Sequence, residues 1–272
     1  MQPLLHYKIY SGGDKQKNTP PLLILHGLLG SMDNWRSQAK RLAQSRTIIT
    51  IDLRNHGHSP HLAGMSYKEM AMDVVAVLQH EKLAEVDLLG HSMGGKVAMW
   101  LALHFPALIS RLIIVDIAPK TYPLWHQKVF AAMMKLPLSE LKSRKEVDRY
   151  FAELIEDDVE RIFLSKNLQR HQNGGYTWRC NLNEIAKGYL KIASFPLNDL
   201  VFSKKSCFIR GEHSHYIEET DHPLIKAIFT QGNIITIANS SHLPHIEQAD
   251  DFYTLVLTFL EKKCLKSVKD TS

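Results

Sequence analysis

Residues 87–103 read DLLGHSMGGKVAMWLAL and set Ser92 among Gly90, Gly94 and Gly95. Gly90-His91-Ser92-Met93-Gly94 fits the pattern G-x-S-x-G, with an apolar run before it and a helical pattern after it. Glycine is costly inside regular structure. At a sharp strand-to-helix turn it is needed two residues either side of the serine, where a Cβ would clash. Such a turn strains the serine backbone and exposes its hydroxyl. It also puts the Met93 amide at a helix N-terminus, where an oxyanion can be held. The chemistry expected is nucleophilic attack on a carbonyl; the alternative is an ordinary glycine-rich turn.

Attack of this kind needs a base, an acid to orient the base, and a second oxyanion donor. ANSSHLPHIEQADDF (238–252) offers His242 on a loop after the last expected strand, and His245, which is expected to pack or cap. LLILHGLLG (22–30) ends a strand with His26-Gly27-Leu28, so the Leu28 amide is the expected second donor and His26 a structural residue. Asp116 in IIVDIAP closes a strand at the carboxyl end of the sheet, where open α/β folds build their sites. It also keeps the chain order Ser–Asp–His. Glu212 is the alternative acid. Asp52 and Arg54 read as residues that fix a loop. His56, His58 and His61 have the H-x-H-x-x-H spacing of a metallohydrolase loop, but no Asp precedes the third His and no partner cluster follows. The pair His242 and His245 likewise lacks a third ligand at metal spacing.

Alternating elements must position these residues. PLLILHG (21–27), TIITIDL (47–53), VDLLG (86–90) and RLIIVDIAP (111–119) are short apolar runs closed by Gly, Asp or Pro, as buried strands are. CFIRG (207–211) and NIITIA (233–238) resume the rhythm, and a helix around 247–262 ends it. Ser66 and Glu69 form a capping box before MAMDVVAVLQ, and a second helix runs from Met93 to about Phe105, stopping near Pro106. The class is therefore α/β, a mostly parallel central sheet with helices on both faces. Between 119 and 200 the pattern turns helical with charged faces and no convincing buried strand, and HQNGGYTW (171–178) reads as a turn. A core of 1–118 and 201–272 with an inserted helical cap, 119–200, follows.

Composition narrows the function classes. Across 272 residues, 44% are hydrophobic and 22% charged, which supports a sizeable core. The net charge of +5 is dispersed, apart from EKKCLKSVKD (261–270), so a solvated end is expected and no nucleic-acid partner. Cys180, Cys207 and Cys264 are odd in number and widely spaced, against a disulfide framework or structural zinc. MQPLLHYKIY lacks the pattern of a signal peptide, and no run approaches the roughly 20 apolar residues of a membrane span. A cytoplasmic protein is expected; monomer and dimer both fit.

HGLLGSMDNW, DLRNHGHSPH, GHSMGGK, VDIAP and SSHLPHIEQ occur in the order and spacing of the α/β-hydrolase superfamily. More narrowly, the chain resembles the small bacterial YbfF-type esterases over about 20–118 and 205–260, the cap matching in position and length more than in sequence. In much of the superfamily the acid lies about three residues past the Gly of a later strand, where this chain has Ser214. The resembled esterases instead share the Asp before Ile-Ala-Pro. The resemblance implies hydrolysis of a small-molecule acyl ester or thioester, with acyl-CoA one candidate, by Ser92, Asp116 and His242, without metal or organic cofactor. The cap and the Trp35 region are expected to shape the acyl pocket. C–C bond hydrolysis, acyl transfer and perhydrolysis would use the same triad, and a non-catalytic binding module the same fold.

Overall fold

The computed structural model of the chain describes residues 3–11, 19–155, 158–172 and 174–261. Cys264 and the basic segment after Glu261 lie outside the described residues. Strands β1 (Tyr7–Tyr10), β2 (Leu22–Leu25), β3 (Ile48–Ile51), β4 (Val86–His91) and β5 (Ile109–Val115) precede a long insertion. It carries β6 (Leu168–Arg170) and β7 (Tyr176–Trp178), and β8 (Ser206–Gly211) and β9 (Gly232–Ile237) follow it. Seven strands form one sheet in the order β1-β3-β2-β4-β5-β8-β9, every pair parallel except β1 with β3. β4, which leads into Ser92, lies at its centre.

Side chains alternate across a strand, and both faces of this sheet are covered. Leu23 and Leu25 of β2, with Leu112 and Ile114 of β5, join the core under α2 (Tyr67–His80) and α3 (Met93–His104). Leu22, Ile24, Ile113 and Val115 face the other way, onto Trp35, Phe252 and Val256. α1 (Arg36–Leu42) and the closing helix cover that second face. Burial on both sides explains why the strands read as unbroken apolar runs. α2 starts as expected: the Ser66 hydroxyl accepts the Glu69 N–H (3.3 Å) and the Glu69 carboxylate accepts the Ser66 N–H (2.9 Å).

The insertion between β5 and β8 holds α4 (Gln127–Lys135), α5 (Arg144–Ala152), α6 (Asp158–Ser165), α7 (Leu182–Lys187) and α8 (Tyr189–Ala193). It is helix-rich, as the charged periodicity suggested, but β6 and β7 form an antiparallel hairpin outside the main sheet. The expected turn at 171–178 therefore joins two strands and contributes Tyr176–Trp178 to one of them. Strands of three residues are too short to show a period of two. α9 (His222–Ile228), α10 (Pro244–Glu247) and α11 (Ala249–Glu261) are the last helices among the described residues. Among the described residues, no helix is long and apolar enough to cross a membrane.

Polar contacts tie the insertion to the core. The buried Asn167 side chain donates to the Leu29 carbonyl (2.7 Å), and the Asn181 N–H to the Asn55 carbonyl (2.8 Å). Lys96, on α3 and 2% exposed, donates to the carbonyls of Ala193 (2.9 Å) and Ser194 (3.0 Å) at the end of α8. Its ammonium lies 4.7 Å from the Tyr122 ring centroid. Burial, helped by the charge of Lys120, pushes its pKa down to about 7. Between about pH 7 and 10 the unfolded chain thus holds a proton that the folded chain does not, so this residue makes stability rise with pH there. Wild type should gain about 2 kcal/mol relative to Lys96→Met between pH 7 and pH 9, read by urea unfolding of both proteins. A difference that does not change with pH would mean that the lysine stays charged.

Candidate active site

Ser92 sits at the tip of the turn between β4 and α3 with φ 52° and ψ −119°. That conformation is strained for any residue but glycine. The turn closes tightly: a Cβ on Gly90 would stand 2.2 Å from the Gly94 carbonyl oxygen, and one on Gly94 2.4 Å from that of His26. Both glycines are therefore obligatory.

Asp116 follows β5, fully buried and with φ 51°. One carboxylate oxygen accepts the Gly211 N–H (3.0 Å); the other accepts the Ser214 hydroxyl and lies 2.8 Å from His242 Nδ1. A proton on Nδ1 against this carboxylate leaves Nε2 as an acceptor, 3.1 Å from Ser92 Oγ. The three residues, 24 and 126 positions apart in the chain, meet because parallel strands deliver them to one edge of the sheet. Glu212 does not join them: its carboxylate accepts the Asn239 N–H (2.9 Å) and lies 3.8 Å from His213.

Leu28 and Met93 line a cavity together with Ser92. Among the described residues, neither backbone N–H has a protein acceptor. Two buried imidazoles hold the loop that carries Leu28. His26 accepts the Leu53 N–H (3.0 Å) and its other nitrogen contacts the Gly27 carbonyl (2.8 Å). His56 accepts the Leu29 N–H (3.1 Å), with its Nδ1 on the Arg54 carbonyl (2.9 Å). Burial lowers both pKa values, that of His56 to about 3, so both stay neutral. His58 donates its N–H to Asp52, and His61 contacts the Arg179 carbonyl, so the three histidines serve separate loops. Asp52 also accepts the Met32 N–H (2.7 Å), and Arg54 grips Asp73 at 2.6 and 2.8 Å. His245 packs flat on Trp35, ring centroids 4.2 Å apart.

Four contributors to this geometry had no assigned role in the sequence. Ser214 occupies the position where a carboxylate would commonly be sought, and it donates to the acid instead. The Tyr216 ring stacks on His242 at 3.7 Å and 17°, an arrangement favourable to a transient imidazolium. Buried His91, its pKa pushed well down by desolvation, contacts the His242 carbonyl through Nε2 (2.8 Å). The Glu247 carboxylate accepts the N–H groups of Ser241 (2.6 Å) and Leu243 (3.1 Å) on either side of His242. His91 lies inside the G-x-S-x-G pattern and Glu247 five residues past the histidine, but only tertiary contact reveals what they hold.

The arrangement can pass a proton from Ser92 to His242 beside a fixed carboxylate, and Leu28 and Met93 line the same cavity as the serine. Two cavities meet at Ser92, of about 320 Å³ and 40 Å³. The larger is lined in part by His242, Trp35 and Phe163, so Trp35 belongs to this one.

The alpha/beta hydrolase fold family matches residues 20–249. The sn-1-specific diacylglycerol lipase ABHD11 of Mus musculus is 36% identical over 269 residues, covering 96% of this chain and 86% of that protein. Esterase YbfF of Escherichia coli is 30% identical over 246 residues, covering 90% of this chain and 94% of that protein. A solved structure described as a marine microorganism esterase superposes with a TM-score of 0.90 at 37% identity. It covers 95% of this chain and 100% of that one.

Proposed function

The chain belongs to the alpha/beta hydrolase family and is an ester hydrolase of the esterase/lipase type; on that premise we propose that it acts through a Ser92–His242–Asp116 triad. The observation that carries this reading is the pair of contacts of His242, 3.1 Å to Ser92 Oγ and 2.8 Å to Asp116. His242 Nε2 takes the proton of Ser92 as Oγ bonds to the ester carbonyl carbon. The Leu28 and Met93 amides receive the oxyanion, each such donor being worth about 3 kcal/mol. His242 then gives its proton to the leaving oxygen or sulfur as that bond breaks, and an acyl-enzyme remains. Water, deprotonated by the same nitrogen, attacks the acyl carbon and releases the carboxylic acid. Asp116 stays ionised throughout and fixes the imidazole tautomer. Residues 119–200 serve as the cap over this site, and thioesters such as acyl-CoA are substrates beside oxygen esters.

The test combines chromogenic acyl esters of two to sixteen carbons with a fluorophosphonate, which phosphonylates only an activated serine. Activity should fall in proportion to the uptake of one phosphonyl group, mapped by peptide mass spectrometry to Ser92. Full labelling without loss of activity, or a label on another residue, would overturn the assignment.

A further inference from the structure

A tetrahedral carbon on Ser92 Oγ has three other substituents, and each must point somewhere different. The oxyanion faces the amides of Leu28 and Met93. The leaving oxygen must lie within reach of His242 Nε2, since that nitrogen protonates it. The acyl chain takes the remaining direction.

The two cavities differ in how they stand to that imidazole. The larger one is lined by His242 together with Ser241, Leu243, Trp35, Phe163 and Leu164. The smaller one is not; it runs from Ser92 and Met93 to Tyr122, Trp125, Tyr189 and Ile192, and Tyr216 lies on its wall. Leu28, Ser92 and His126 line both, which sets the nucleophile at the junction. A leaving group in contact with His242 therefore departs into the large cavity, and the acyl chain enters the small one.

Size then sets the substrate. At about 40 Å³ against 320 Å³, the small cavity favours a short acyl group over a long one. The wall is aliphatic and aromatic, and the Lys96 ammonium at its edge is turned onto the carbonyls of Ala193 and Ser194, so it offers no charge to an acyl carboxylate. By contrast 320 Å³ is the size of a typical small-molecule site. Its lining mixes Asn34, Glu160 and Glu247 with apolar residues, as a bulky amphipathic alcohol or thiol would require. Resting on the triad reading above, we propose that this enzyme hydrolyses esters with a short acyl group on a large alcohol or thiol.

Octyl acetate and ethyl octanoate are isomers with the two arms exchanged, so they separate this assignment from overall hydrophobicity. Wild type should hydrolyse octyl acetate with kcat/KM about tenfold to a hundredfold above that for ethyl octanoate. Ile192→Ala removes three carbons from the lining of the small cavity and should bring the two esters within about threefold, mainly by raising the rate on the octanoate. Trp125 lines the same cavity but is 47% exposed, so Trp125→Ala gives a second variant with little risk to folding. Equal or reversed preference in wild type would overturn the assignment, as would cavity variants that leave the ratio unchanged. A folded protein that hydrolyses neither ester and takes no phosphonyl group on Ser92 would instead overturn the triad reading itself.

Discussion

Ser92→Ala should lower kcat on the best ester about a millionfold while leaving the protein folded. In the triad reading the hydroxyl is the only atom that bonds to substrate, and removing such a nucleophile costs about as much as removing all its partners. Alanine tolerates φ 52° no better than serine does, so the substitution leaves the strain of the turn in place. Ser92→Gly should be equally inactive yet more stable than Ser92→Ala by about 1 kcal/mol, because glycine alone enters this backbone region freely. Single-turnover kinetics and urea unfolding of the three proteins check both halves. Activity retained in either variant would remove Ser92 from the reaction.

The second large effect concerns the acid. Asp116→Asn keeps the shape of the side chain but can reverse the imidazole tautomer, turning an N–H toward Ser92; the loss in kcat should be about ten-thousandfold. The Ser214 hydroxyl donates to the same carboxylate oxygen that faces His242 Nδ1, so position 214 lies within one side chain of the imidazole. In an Asp116→Ala background, Ser214→Asp should therefore restore activity about a hundredfold over Asp116→Ala alone. If Asp116→Asn retains full activity, another group orients His242. If a folded double variant shows no recovery, position 214 does not reach the imidazole.

How much of this was legible in the residues depends on what each signal rests on. The glycines around Ser92 encode a steric demand, and the structure meets it with contacts of 2.2 and 2.4 Å to where their Cβ atoms would be. β2 through β5 and β8 announce themselves because helices cover both faces of the sheet, whereas β9 is an edge strand with Ile235 exposed and shows only as an apolar run. β1 does not: YKIY is an edge strand of four residues with its middle exposed, a pattern shared with loops. α1 was equally silent, being short and burying Gln38 beside Ala39 and Leu42. Ser214 shows the limit from the other side. Its identity said only that no carboxylate stands there, whereas the fold turns its hydroxyl onto a carboxylate from another strand. Tyr216 on His242, and the two cavities of unequal size, arise from segments that meet only in the folded chain.

The order of the site residues along the chain carries a temporal consequence. Leu28, Ser92, Met93 and Asp116 all precede the long insertion, and of the three triad residues only His242 follows it, 126 residues after Asp116. On the triad reading, a ribosome adding roughly 5–20 residues per second would therefore finish the nucleophile, both amides and the acid several seconds before the base emerges. During that interval the serine lacks the imidazole that stands 3.1 Å from its hydroxyl in the folded chain. On the triad reading, reactivity toward the esters of the surrounding medium would switch on only when the last strand and its loop dock.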